Sequence, residues 1–238
     1  MPSDILIALA TYNELDNLPS LVEAISDQLP AADVLVVDDN SPDGTGAWCD
    51  QFAEQHPWFR CLHRQGKQGL GTAARLTMQT AIDQGYQWLV TMDADWSHDP
   101  EHLIALVEAA QQTDVAVGSR YITGGRIEEW PWYRRLVSRA LNTLSCRMLR
   151  LPIADASGAF RVYRVAKLHE IPLQSLQATG YSYLEELAWH LNRAQATFDE
   201  VPIVFRDRQA GQSKANLREA WNKLTTILRL GLKKGGRR

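Results

Sequence analysis

Short, unbroken apolar runs alternate along this chain with longer stretches in which apolar residues recur every three or four positions. Ile5 to Ala10, Val34 to Val37, Trp88 to Met92 and Val115 to Val117 are runs of the first kind, each stopped by turn-forming residues. They read as buried strands of a parallel sheet, because a strand covered on both faces loses its polar alternation. The stretches between them read as amphipathic helices. Leu18, Leu21, Val22, Ile25 and Leu29 mark the first, with Asn17 as the expected cap and Pro19 in the first turn. Trp48 and Phe52 mark the second, and Cys61 to His63 a short strand. A glycine-rich turn at 66–71 leads into a helix ending near Asp83, and Asp99-Pro100 opens another carrying Leu103, Ile104, Leu106, Val107 and Ala110.

Strand and helix in strict turn predict an α/β fold, a mostly parallel central sheet with right-handed crossovers flanked by helices. After Tyr121 the rhythm breaks. A loop at 122–131 precedes a long helix with Leu136, Val137, Ala140, Leu141, Leu144 and Met148 on its apolar face. Strands near 159–163 and 197–205 are expected to extend the sheet in mixed fashion. A last helix, 217–232, carries Leu217, Trp221, Leu224, Leu228 and Leu232 along one side. Its apolar stripe suits either packing on the body of the protein or contact with a membrane surface. No internal repeat or second globular domain is visible.

The chain has 238 residues, 45% hydrophobic and 22% charged, enough for one large folded domain and far from a disordered composition. The net charge of −3 hides an asymmetry: from Arg206 onward ten Lys and Arg stand against two Asp and Glu. A basic end on an acidic body points to an anionic partner, a substrate phosphate or a membrane surface. Cys49, Cys61 and Cys146 are too scattered for a thiolate metal cluster and odd in number, which suggests buried thiols in a reducing cytoplasm. Met1-Pro2-Ser3-Asp4 lacks the opening of a secretory signal, and no apolar run reaches the ~18 residues of a membrane span. The expectation is a cytoplasmic protein, soluble or peripheral at a membrane.

Two strand ends carry the chemistry. Val37 runs into Asp38-Asp39-Asn40-Ser41-Pro42-Asp43-Gly44, and Met92 into Asp93-Ala94-Asp95. Ligands of open α/β sheets bind beyond the carboxyl ends of the strands. Carboxylates delivered there from two strands suit Mg²⁺ or Mn²⁺ carrying a nucleotide diphosphate, since hard cations prefer oxygen. A single such cluster could equally open a loop or cap a helix; two favour the site. No Gly-x-Gly-x-x-Gly follows the first strand, which argues against a dinucleotide dehydrogenase, and 66–71 lacks the Gly-Lys-Ser/Thr ending of a P-loop. That turn is expected to serve close backbone packing.

Several blocks in order carry a family resemblance. Ala-Thr-Tyr-Asn-Glu (10–14), Asp-Asp-Asn-Ser-Pro-Asp-Gly-Thr (38–45), Gly-Leu-Gly-Thr-Ala (69–73), Met-Asp-Ala-Asp (92–95), Gly-Ser-Arg-Tyr (118–121) and Ser-Gly-Ala-Phe-Arg-Val-Tyr-Arg (157–164) resemble a family-2 glycosyltransferase. With 200–214 the chain is similar to the dolichol- or polyprenol-phosphate mannosyltransferases. The resemblance implies a GT-A nucleotide-sugar-binding fold, with residues 1–215 as catalytic domain and 216–238 as a basic C-terminal helix and tail. It implies donor contacts at Ala10, Tyr12, Glu14, Val37, Asp39, Asp93, Ala94 and Asp95, with Arg208 and Lys214 meeting the diphosphate. Asp95 is the implied metal ligand, assisted by Ser97 where some relatives carry Gln, and Asp93 holds the ribose or a metal-bound water. Arg120, Arg134 and Ser138 occupy the implied acceptor-phosphate positions. Ala10 stands where proline is usual, and Leu184 where relatives often have Gln.

The implied reaction is inverting, metal-dependent transfer of mannose from GDP-mannose to a polyprenyl monophosphate at the cytoplasmic face of a membrane. No nucleic acid is involved, and the need for a separate membrane-anchoring subunit stays open. UDP-glucose or another donor is the nearest alternative, because base recognition is not readable from spacing. A non-catalytic sugar-nucleotide-binding membrane adaptor is the alternative of another class, disfavoured because both Asp93 and Asp95 are kept.

Overall fold

A computed structural model describes residues 3–178, 180–207 and 217–232, the side chains of 217–223 excepted. The alternating first half folds as its pattern requires. Strands β1 (Ile5–Thr11), β2 (Asp33–Asp38), β3 (Phe59–His63), β4 (Trp88–Asp93) and β5 (Val115–Ser119) are joined by helices α1 (Leu18–Gln28), α2 (Thr45–Gln55), α3 (Leu70–Asp83) and α4 (Leu103–Gln112). β1 lies between β2 and β4 and is parallel to both; β3 is parallel to β2. Apolar residues fill both faces. Leu6, Ala8, Leu35, Val37 and Leu89 point into one core, and Ile7, Leu9, Val34, Val36 and Val90 into the other.

Beyond β5 come β6 (Arg126–Ile127), α5 (Trp132–Leu149), β7 (Arg161–Arg164), α6 (Val165–His169), α7 (Tyr183–Arg193), β8 (Phe198–Pro202), β9 (Val204–Phe205) and α8 (Leu217–Leu232). β7 inserts antiparallel between β4 and β5, and β8 adds parallel to β5, giving the order β3-β2-β1-β4-β7-β5-β8. The expected mixed extension is therefore inside the sheet as well as at its edge. β6 and β9, too short to read from sequence, form a separate parallel pair.

Two expectations need correction, and the inward face of α8, left open by its pattern, is resolved. Asn17 does not cap α1; its amide donates to Glu14 Oε2 at 2.9 Å, and Pro19 alone marks the start. α5 is turned over relative to its sequence pattern. Leu136, Val137 and Leu144 are 62%, 56% and 39% exposed, whereas Asn142, Ser145 and Leu149 are buried. The inward face is polar because it satisfies the backbone of the 154–157 turn: Ala156 N–H donates to Asn142 Oδ1 at 2.9 Å, and the Asn142 amide donates to the Ala154 carbonyl. α8 packs on α5 and α7 through Thr226, Ile227 and Leu230, leaving Leu228 and Leu232 of the expected stripe outside.

Candidate active site

The order β3-β2-β1-β4 puts a topological switch point beside β1, since the chain steps outward from β1 to β2 and β3 and then crosses back to β4 on the other side of β1. Register then places Ala10 beside Val37 on one flank and Asp93 on the other. A cavity of about 310 Å³ opens at these strand ends. Ala10, Tyr12, Glu14, Asp39, Asp93, Ala94 and Asp95 all line it. Val37 does not; its side chain is fully buried in the core, because side chains alternate along a strand and its neighbours point elsewhere.

The three loops at these strand ends are held in unusual backbone. Asn13, Asn40 and Trp96 have φ of 59°, 58° and 63°, one residue in the loop after each of β1, β2 and β4. Asn tolerates this left-handed region; Trp does so at real cost, and such strain collects at functional sites. Asp38 is not a ligand group. It is buried and accepts from Thr11 Oγ1 at 2.9 Å and from Ser41 N–H at 3.0 Å, tying the first two strand ends together. Asp43 accepts from Thr45 N–H at 3.0 Å and Leu15 N–H at 3.1 Å. Burial alone would raise its carboxyl, but the Thr45 hydroxyl, which donates to it at 2.6 Å, and these two N–H groups hold it below the usual range.

Asp95 is 7% exposed, and its Oδ1 accepts from both the N–H and the hydroxyl of Ser97. Ser97 is itself buried and outside the cavity lining, and its hydroxyl aims Asp95. Asp93 is set by its backbone, whose N–H donates to His98 Nδ1 at 3.0 Å. Burial is the chief reason the His98 imidazole is pushed down to about 4, so it stays neutral and can accept that bond. Among the described residues no three His, Cys, Asp or Glu side chains converge on one point as a self-sufficient metal site. The donor set nevertheless fits a hard divalent cation that arrives with a diphosphate: Asp93 and Asp95 would hold it, with phosphate oxygens and water completing the shell.

Two cations in the cavity wall escape the sequence reading. Arg64, just past β3, donates through Nε to Asp39 and through its terminal nitrogens to Thr72 Oγ1 at 2.6 Å and the Gly69 carbonyl at 3.4 Å. It fixes Asp39 and fastens the glycine turn to the site. Lys67 sits 3.4 Å above the Tyr12 ring. The usable signal for Arg64 was its position at a third strand end. Gly71 shows why that turn needs glycine: a Cβ there would lie 2.2 Å from the Ala178 carbonyl oxygen.

The acceptor residues divide. Arg134 and Ser138 lie one turn apart on α5; Arg134 reaches Asp207 at 3.2 Å and stacks on Trp130, and Ser138 Oγ is 2.8 Å from the Tyr121 hydroxyl. Arg120 is not available as a free cation. Its Nε and Nη2 grip Asp155 at 2.7 and 2.8 Å, both residues being buried. A buried guanidinium needs such a partner, and it answers the burial that would raise Asp155, whose carboxyl is held at about 2. None of the three lines the donor cavity. Arg208 and Lys214 lie outside the described residues.

A doubly covered α/β sheet with acidic loops at its switch point defines a nucleotide-sugar glycosyltransferase of GT-A type. Residues 6–171 match the glycosyl transferase family 2 profile, and the chain belongs to that family. It is 38% identical over 228 residues to the undecaprenyl-phosphate mannosyltransferase of Micrococcus luteus, covering 96% of this chain and 94% of that protein. It is 40% identical over 224 residues to the polyprenol monophosphomannose synthase of Mycolicibacterium smegmatis, covering 92% and 84%. Among solved structures, the fold is shared with a mannosyltransferase from Pyrobaculum calidifontis in complex with GDP-Man and Mn²⁺ (TM-score 0.62, 16% identity, 100% of this chain and 68% of that one). It is shared also with glucosyl-3-phosphoglycerate synthase from Mycobacterium tuberculosis (TM-score 0.65, 16% identity, 95% and 79%).

Proposed function

We propose that this enzyme transfers mannose from GDP-mannose to a polyprenyl monophosphate, with inversion and with Mg²⁺ or Mn²⁺ bound, peripherally on the cytoplasmic face of a membrane. The observation that carries the reading is the meeting of Tyr12, Asp39, Asp93 and Asp95, from three separate strand ends, around one cavity. The names of the relatives at 38% and 40% identity support the sugar and the acceptor class.

In this reading Asp39, oriented by Arg64, takes the nucleoside, and Asp93 and Asp95 take the diphosphate end. A divalent cation bound there supplies charge neutralisation for the leaving diphosphate. Arg208 and Lys214 add charge-assisted contacts to the same oxygens, on the strength of the sequence alone. The acceptor monoester has its second pKa near ~6 and is largely dianionic at neutral pH, so a strong general base is not needed. Arg134 and Ser138 hold it; its oxygen forms the new bond to the anomeric carbon as the bond to the diphosphate breaks on the opposite side. Arg120 acts one step back, keeping the turn at Asp155 and Ser157 in place. Alignment and preorganised charge carry the rate.

Radiolabelled GDP-mannose, UDP-glucose, UDP-mannose and GDP-glucose, each offered with polyprenyl phosphate and Mg²⁺ or Mn²⁺, test the proposal. GDP-mannose should give a β-linked, lipid-extractable product. Faster transfer from a UDP-sugar would replace the donor assignment, and no lipid-extractable product from any donor would overturn the acceptor.

A further inference from the structure

The outward face of α5 divides into two stripes that the donor site does not use. Arg134, Ser138, Asn142, Ser145 and Leu149 recur at helical spacing and form the inner face. Roughly opposite, Tyr133, Leu136, Val137, Ala140 and Leu144 stand in water, an arrangement that forfeits the burial such side chains normally gain. Between the two runs a basic stripe, Arg139, Thr143, Arg147 and Arg150. With Tyr121 and Ile153 it lines a groove of about 500 Å³. A second groove of about 410 Å³ shares Arg139, Thr143 and Arg147 and continues onto Leu136, Ala140 and Leu144. The basic and apolar surfaces are therefore contiguous.

The charge on this helix is one-sided. α5 contains four arginines and no acidic residue, and Arg150 follows it directly. Among the described residues Arg139, Arg147 and Arg150 are exposed and make no ion pair. Arg147 and Arg150 complement the helix C-terminus, but Arg139 lies more than two turns upstream and gains nothing from it. Arg150 also occupies the left-handed position that closes the helix, at φ 54°, where glycine is the usual residue. The backbone accepts that cost and keeps a third guanidinium on the groove.

We propose that the Arg139–Arg147–Arg150 groove binds the phosphodiester headgroup of an anionic membrane lipid, at a place separate from the acceptor position at Arg134 and Ser138. Guanidinium groups fork onto phosphate oxygens. The adjoining Leu136, Ala140 and Leu144 reach the level of the acyl chains, which is how an amphipathic helix lies in an interface. The site rests on the reading of a lipid-borne acceptor only in requiring a bilayer near the active site.

Sedimentation with phosphatidylglycerol-containing vesicles and with purely phosphatidylcholine vesicles tests it, using the full chain. Arg139→Gln, Arg147→Gln and Arg150→Gln should each weaken binding to the anionic vesicles about fivefold, the equivalent of about 1 kcal/mol per cation. Arg60→Gln, on β3 at the other edge of the sheet, removes the same charge and should change binding by far less. Transfer of mannose to a short, water-soluble polyprenyl phosphate should persist in all four variants, which separates this site from the catalytic reading. Equal losses for Arg60→Gln and Arg147→Gln would reduce the groove to diffuse attraction and overturn the proposal. So would binding of free glycerol phosphate, at constant ionic strength, tight enough to displace the vesicles. A loss of soluble-acceptor transfer that parallels the loss of vesicle binding would assign the groove to the acceptor instead.

Discussion

Asp38 and Asp39 are adjacent in sequence and have opposite fates. Asp38 ends β2 pointing into the protein, where Thr11 and Ser41 saturate it; Asp39 turns toward the cavity and meets Arg64. One carboxylate is therefore spent inside the fold and the other faces the cavity, and their replacement should differ. Asp39→Ala is expected to raise the KM for donor with little change in kcat, as is Arg64→Gln, which leaves Asp39 unoriented. Asp95→Asn should keep the melting temperature and lower kcat about 10²- to 10³-fold, the range for losing one group that stabilises a developing anion; metal-dependent turnover within a few-fold of wild type would contradict it. Asp155→Asn acts on stability. It strands the buried Arg120 guanidinium, and removing one partner of such a pair costs about 3–5 kcal/mol, measurable as a urea midpoint shift. The same pair sets an acid limit. The folded carboxyl lies at about 2, below the value near ~3.9 of an unfolded chain. Its contribution is thus complete above the unfolded value and is lost as pH falls from there toward 2, the direction a pH series of denaturation midpoints should follow.

α5 is the element whose sequence pattern and structure disagree most. Hydrophobic periodicity assigns its inner face on the premise that apolar residues point toward a core. Here the inner face is chosen by hydrogen bonding, because Asn142 satisfies two backbone groups of the turn at 154–157, the Ala154 carbonyl and the Ala156 N–H. The inversion makes a paired prediction. Leu136→Ser, on the exposed side, should stay within about 0.5 kcal/mol of the parent. Asn142→Ala should cost about 1–3 kcal/mol by leaving the Ala156 N–H and the Ala154 carbonyl without partners in the interior. Chemical denaturation of the two variants decides it: the reverse order would mean that the helix is buried through its leucines. α3 is the opposite case, since the glycine-rich turn at its start was legible as close packing and Gly71 does meet the Ala178 carbonyl.

At the scale of the whole molecule the decisive feature is strand order. The switch at β1 gathers loops from positions 12, 39, 64 and 95 of the chain onto one rim. The rim supplies acidic oxygens but, among the described residues, no complete metal cage. Chelation should therefore abolish transfer and weaken donor binding while leaving the melting temperature of the donor-free protein unchanged, because no cation is needed to hold the fold. A fall in that temperature on chelation would point to a structural metal instead. Among the described residues no helix is long and apolar enough to cross a membrane; the outward apolar face of α5 is the one proposed above to lie against one.

The local pattern by itself determined the strands and helices of the first half and the places where they stop, because buried parallel strands and amphipathic helices leave periodicities that depend only on nearest neighbours. It also singled out two acidic strand ends, whose Asp39, Asp93 and Asp95 the fold brings to one cavity, and the ordered motifs pointed to the family. What it could not determine are relations between residues far apart in the chain. Arg64 was one charge among many until the fold set it against Asp39 and Gly69, and Arg120 looked free until Asp155, thirty-five residues on, closed around it. Which face of α5 and of α8 turns inward depended likewise on the surfaces they meet. Only tertiary structure could supply those partners, since burial and the hydrogen bonds it compels belong to the packed molecule and not to any segment of it.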